Sequence, residues 1–302
     1  MAGETLSRRL ESRVSPIAAL VVAILAVSTS AILVRWSDAP PSVAAFYRVL
    51  FTVGLLGPLA FSRHGEDLRS LGRRDALAAG VTGVALAVHF AAWFQSVRWT
   101  SVAASVTLVQ SQTLFVAVGA ALYLDERLTL SKTAGILIAL AGAVVMSLGE
   151  LLGGAAVGPR PLAGNALALL GAVMMAGYVL AGRALRARIA LVPYVTVVYS
   201  ACAVVLGAFV IAQGDGLVGY PPVEWALFLA MAIGPGVFGH TVINWALEHV
   251  ESSVVSVSLL GEPVGSTLLA LVLLAEVPGR WTVVGGAVVL GGVYLTARAR
   301  AS

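Results

Sequence analysis

The sequence predicts an all-α integral membrane protein with ten transmembrane helices, arranged as two inverted five-helix repeats around a central cavity. Three observations lead there. Of 302 residues, 59% are hydrophobic and only 11% charged, with a mean hydropathy of +0.94, whereas a soluble domain carries about 25% charged residues. Apolar runs of roughly 20 residues recur along the chain, the length that crosses a ~30 Å hydrocarbon core, and they lack the short alternating pattern of an outer-membrane barrel. One helix-pair pattern also occurs twice, about 150 residues apart.

The elements follow in order. Arg8, Arg9 and Arg13 precede a long apolar run with no small-x-small cleavage site after it, so residues 16–35 read as a spanning helix rather than a removed leader. Asp38-Ala-Pro-Pro41 starts the second helix, 42–62, and the third, 75–97, ends at Arg98-Trp-Thr-Ser101. The fourth, 102–124, runs to Asp125-Glu-Arg127, and the fifth is 131–150. A Gly/Pro-rich join, Gly153–Pro161, separates a first unit, 1–152, from a second, 162–302. The second unit holds helices at 162–182, 192–213, 223–247, 252–275 and 281–297, punctuated by Gly214–Pro222 and Val277-Pro-Gly279.

Basic residues orient these spans. With the N-terminus inside, fourteen fall on the inner side: Arg8, Arg9, Arg13, Arg63, Arg69, Arg73, Arg74, Arg127, Lys132, Arg183, Arg186, Arg188, Arg298 and Arg300. Four, Arg35, Arg98, Arg160 and Arg280, fall outside, and Arg48 lies within a span. Fourteen against four is a strong positive-inside bias, which puts both termini in the cytoplasm. The same loops account for the pI near 9.6; a net charge of only +4 gives no nucleic-acid signature. The lone Cys202 excludes an intrachain disulfide or a cysteine metal framework.

The repeat follows from residue matches. At an offset of 150, Glu126 falls on Glu276, Gly135 on Gly285 and Gly142 on Gly292; at 151, Gly83 falls on Gly234 and His89 on His240. Five helices per unit is an odd number, so the second unit is inverted. Duplicated halves of opposite orientation are a transporter arrangement, because one half can rock against the other around a site between them. The glycines give small-residue faces suited to helix packing, or to a homodimer contact.

Polar side chains at membrane depth are costly and need a reason. Glu262 is the only acid in the interior of a predicted span; Asp75, Glu150 and Glu224 fall at span ends. It can hold a proton or a substrate amine, or it can brace a kink where Pro263 removes a backbone donor. His89 shares a helix face with Trp93, and His240 with Asn244, both at i,i+4, so inversion directs these faces at one cavity. The histidines can line that cavity, exchange protons, or simply bond a carbonyl; Glu262 and His89 are the proton-coupling candidates. Arg48 can attract a carboxylate or pair internally. Gln110, Gln112, Tyr178 and Tyr199 can furnish a cavity wall or bond between helices. Gly234-Pro235-Gly236, with Pro263, marks a hinge or a close-packing point. Trp36, Trp99, Trp225 and Trp281 read as interface anchors.

Several stretches resemble the EamA-type branch of the drug/metabolite transporter superfamily, nearly end to end from about residue 16 to 297. Pro41 followed by Phe46-Tyr-Arg48 looks like that family's second-helix opening, and Ala246-Leu247 followed by Ser252-Ser253 like its eighth-to-ninth helix step. Glu262-Pro263 followed by Leu274-Ala-Glu276 looks like its ninth helix, and Gly135 and Gly285 like the glycines opening its fifth and tenth. Two departures, Ser28-Thr-Ser30 for a frequent Trp-Gly and Gln112-Thr113 for a frequent Pro, bear on substrate choice. The resemblance implies a cofactor-free secondary transporter of a bacterial-type inner membrane. Its expected cargo is an amino acid or similar small metabolite, as for the YddG-like amino-acid exporters, with a proton-coupled drug exporter as the alternative.

Other classes lack their motifs. No G-x-x-x-x-G-K-[ST] for a nucleotide-driven pump, no H-E-x-x-H and no G-x-S-x-G occurs. An intramembrane enzyme would need a nucleophile that is not indicated, and a membrane scaffold would not need a duplicated frame with polar residues at matched depths.

Overall fold

Apolar periodicity becomes helix throughout a computed structural model, which describes residues 15–123, 129–153, 158–243 and 258–298. No strand occurs among them. The first unit comprises α1 (Pro16–Ser28), α2 (Ser30–Trp36), α3 (Pro41–Ser70), α4 (Arg73–Trp99), α5 (Val102–Val109), α6 (Gln112–Tyr123) and α7 (Leu130–Gly153). The second comprises α8 (Pro161–Arg186), α9 (Leu191–Gln213), α10 (Pro222–Met231) continued by a π-helical segment (Ala232–Thr241), α11 (Gly261–Leu274) and α12 (Arg280–Arg298). Glu126, Asn244 and Ser252-Ser253 lie outside the described residues.

Among the described residues seven helical stretches are long and apolar enough to cross a membrane; Leu130–Met146, Gly261–Leu274 and Arg280–Thr296 are apolar but shorter. Large apolar side chains such as Ile17, Val21, Leu25, Leu77, Val204 and Val272 are exposed on the outer surface, where lipid tails would meet them.

Four spans differ from expectation, the first, second, fourth and ninth. The first helix is broken at Thr29, where Ser28 donates to the carbonyl of Ile24 at 2.8 Å and Thr29 to that of Ala26 at 2.7 Å; such back-bonding bends a helix. The second helix does not stop near 62 but continues to Ser70 through a kink at His64, because loop charge marks a membrane face without breaking the backbone ladder. The fourth helix is split at Gln110-Ser111. A turn at Leu259-Leu260 precedes α11, 149 residues after Gln110-Ser111 (259 − 110), so both repeats break at equivalent positions. Pro263 is thus the third residue of α11, where no intrahelical donor is needed, and it causes no mid-helix kink.

The heaviest packing joins one unit to the other: α4 on α8 and α9, α3 on α9, α1 on the π segment, and α7 on α12. The last pair carries the symmetry. A Cβ on Gly135 would lie 2.7 Å from the Gly292 carbonyl oxygen, and one on Gly142 2.8 Å from that of Gly285. Reciprocally, Gly285 meets Gly142 at 2.7 Å and Gly292 meets Gly135 at 2.5 Å. The contacts run in opposite directions along the two helices, so repeat-equivalent helices pack antiparallel about a pseudo-two-fold axis. These four glycines are used within the chain and are not free for a dimer contact.

Candidate substrate cavity

Helices from both units converge on a cavity of about 40 Å³ lined by Ser30, Arg48, His89, Phe90, Trp93, Gln110, Gln112, Met175, His240 and Glu262, with Val27 and Val109. Its depth follows from helix rise. Arg48 is seven residues from the start of α3, His89 ten from the end of α4, and Glu262 twelve from the end of α11. At 1.5 Å per residue these lie ~10–18 Å below one face, about half of a ~30 Å core. A volume of about 40 Å³ holds a few waters rather than a solute.

Arg48, His89, Gln110, Gln112 and Glu262 have defined partners. Arg48 is 2% exposed. Its Nη1 donates to Ser30 Oγ at 3.2 Å, and its guanidinium lies 4.6 Å from the Phe90 ring centroid and 5.7 Å from that of Phe94, a cation–π seat supplied by α4. His89 bonds the Gly171 carbonyl through Nδ1 at 2.8 Å; a carbonyl can only accept, so Nδ1 carries hydrogen and Nε2 is left for the cavity. Gln110 Nε2 donates to Glu262 Oε2 at 2.8 Å, and Gln112 Nε2 donates to Gln110 Oε1 at 3.3 Å. The break that ends α5 at Val109 turns these amides of the first unit toward the carboxylate of the second.

Of the residues singled out from sequence, Arg48, His89, Trp93, Gln112, His240 and Glu262 line this cavity. Tyr199 lines a smaller adjoining pocket with Arg48 and His240. Tyr178 lines neither pocket: Met175, one turn earlier on α8, takes the wall position, and Tyr178 turns to Tyr194 with ring centroids 6.5 Å apart. Gln110, named from sequence for a cavity wall or an interhelical bond, does both, and Ser30 of the Ser28-Thr-Ser30 departure also lines the cavity; their pairing with Glu262 and Arg48 is what sequence reasoning left out. In the π segment, Gly236 lies against α3, where a Cβ would come 2.7 Å from Thr52 Oγ1, so close packing is one demonstrated use of that glycine. Trp225 is held in an aromatic cluster with Tyr47 and Phe228 at 4.8 and 5.7 Å, more than a simple interface anchor. Among the described residues no cluster of three metal-ligating side chains occurs.

Residues 14–148 and 162–298 each match the EamA-like transporter family. The chain belongs to that family. Two proteins of Archaeoglobus fulgidus, both described as uncharacterized transporters, are similar to it. One is 29% identical over 282 residues, covering 85% of this chain and 94% of the relative; the other is 26% identical over 295 residues, covering 95% and 98%. A solved crystal structure with 22% identity superposes with a TM-score of 0.63 over 93% of this chain and 96% of that one, a likeness of fold.

This EamA-family protein also carries a polar clasp at the face nearest the cavity's Arg48. Arg35 Nη2 pairs with Glu276 Oε2 at 3.1 Å and donates to the Thr100 carbonyl at 2.7 Å, while Glu276 Oε1 accepts from the Val102 amide at 2.6 Å. Glu224, 2% exposed, accepts from Ser37 Oγ at 2.6 Å and from the Asp38 amide at 2.7 Å. Arg98 donates to the Ser37 carbonyl at 2.6 Å. Arg35, Ser37, Asp38, Arg98, Thr100 and Val102 belong to the first repeat, Glu224 and Glu276 to the second, so the clasp ties the two repeats together at this end.

Proposed function

We propose that the protein is a secondary transporter of small metabolites, amino acids foremost, working by alternating access between ten spans with both termini in the cytoplasm. It belongs to a transporter family, and its function is transport rather than enzymatic turnover. The single observation that carries the substrate reading is the pairing of charges in one cavity: Arg48 and Glu262 line it from opposite repeats, and no ion pair joins them among the described residues. An internal cation and anion held apart suit a ligand that carries both charges. The apolar wall of Val27, Val109 and Met175 suits its hydrocarbon part. Gly234-Pro235-Gly236 and the turn before Pro263 are the points where rocking would bend the helices.

A second reading, a proton-coupled exporter of drugs or other metabolites, draws on Glu262 and His89 as proton carriers. Counterflow of labelled amino acids in proteoliposomes, with and without an imposed proton gradient, separates the two. Gradient-independent exchange of amino acids supports the first reading. Absence of exchange with every amino acid tested removes that substrate class and leaves the second.

A further inference from the structure

Four buried side-chain atoms among the described residues have no hydrogen-bond partner: Arg35 Nε, Trp93 Nε1, Gln112 Oε1 and Tyr194 Oη. Trp93 and Gln112 both line the central cavity. An unsatisfied buried polar atom is costly, so two in one cavity mark groups that a ligand entering it, in place of water, would satisfy. They are of opposite kind: an indole N–H can only donate and an amide oxygen can only accept. Trp93 is 4% exposed, which leaves the cavity as the place where its N–H can find an acceptor.

Their neighbours give each a polarity. Trp93 packs edge-on against Phe94 at 5.4 Å, and Phe94 and Phe90 seat the Arg48 guanidinium. Among the described residues Arg48 makes one hydrogen bond, to Ser30, of the five a guanidinium can donate. The Gln112 amide nitrogen is taken by Gln110, whose own nitrogen holds Glu262, so the free oxygen of Gln112 sits at the acidic side.

We propose that Trp93 and Gln112 are the specificity-determining pair of the cavity, Trp93 donating with Arg48 to the substrate's carboxylate and Gln112 accepting, beside Glu262, from its ammonium group. This rests on the amino-acid reading above. It assigns each end of a zwitterion to its own part of the cavity wall, and it requires both substrate charges, since meeting one alone would leave a buried polar atom open.

The test is counterflow of labelled L-leucine in proteoliposomes, competed by unlabelled L-leucine, L-leucine methyl ester or N-acetyl-L-leucine. The ester removes the carboxylate charge and the acetyl group removes the ammonium. In Trp93→Phe the preference for leucine over its methyl ester falls about tenfold while that over N-acetyl-leucine is kept; in Gln112→Met the pattern reverses, each change matching one lost hydrogen bond to a charged group. Each preference is a ratio, so it does not depend on how much protein folds, and either variant reads its own wall if the other is lost. Wild-type exchange with neither ratio moved, or with both ratios moved equally by each substitution, overturns the pair and leaves the amino-acid reading standing. Failure of the wild type to exchange any amino acid overturns that reading, and the pair with it.

Discussion

Glu262 shows how a single side chain at membrane depth acquires a role from its partner. Its carboxylate accepts from Gln110 across the repeat boundary, and Gln110 in turn accepts from Gln112. Removing the donor leaves the acid without its hydrogen bond in a site with little water, and a bond to a charged group contributes about 1.5–3 kcal/mol. Gln110→Leu is therefore expected to lower kcat/KM for leucine counterflow by roughly tenfold or more. A rate within twofold of the wild type would show that the amide chain does not position Glu262. Glu262 itself was legible in the sequence, being the only acid in the interior of a predicted span. Gln110 was visible as a polar residue, but its partner lies 152 residues away and no local rule pairs them. Arg48 was likewise legible as an oddity, whereas the Phe90 and Phe94 rings that seat it emerge only when α3 and α4 pack.

Among the elements, the α7–α12 pair behaves as a scaffold. Backbones approach so closely that four glycines meet carbonyl oxygens of the facing helix, and any side chain there must push the helices apart. Overpacking of this kind costs typically 1–3 kcal/mol and more where backbone must move. Gly142→Leu or Gly285→Leu should lower the thermal unfolding midpoint by several degrees or prevent folding. Gly291→Leu, where a Cβ meets nothing within 4 Å, should leave the midpoint within about a degree and is the control. Equal losses at all three positions would contradict the close-packed pairing. The broken elements tell a complementary story. α5–α6 and the turn before α11 interrupt at equivalent places, 110–111 and 259–260, yet the periodicity around them reads as one continuous apolar helix. Hydrophobicity reports what faces lipid and is silent about where a backbone ladder lapses inside a cavity wall.

At the scale of the whole molecule, alternating access requires one end to be shut while the site communicates with the other. The clasp of Arg35, Glu276 and Glu224 joins the two repeats at the end nearest Arg48, and in the proposed cycle it is the closure of that end. Arg35 and Glu276 are 21% and 9% exposed in their side chains, so the pair is partly shielded from screening by salt. With Val109→Cys as a reporter in the cavity wall, a membrane-impermeant maleimide added on the clasp side should label slowly, and Arg35→Ala with Glu276→Gln should raise that rate at least about tenfold. The native Cys202 is fully buried and contributes little background. An unchanged rate would mean that the clasp is not what holds this end closed.

The sequence by itself determined the membrane class, the repeat and the list of polar residues that pure lipid burial cannot explain. These depend on composition, length and register, which are properties of a chain read one residue at a time. It also carried the match of Gly135 with Gly285 and of Gly142 with Gly292. Only the tertiary structure decided that those glycines face each other antiparallel, that Gln110 holds Glu262, that Tyr178 turns from the cavity while Ser30 enters it, and that Arg35 and Glu276 join across the repeats. The physical reason is common to all four: each contact joins residues far apart in the chain, and hydrogen bonds and close packing act through space at about 3 Å, a distance to which sequence spacing gives no access.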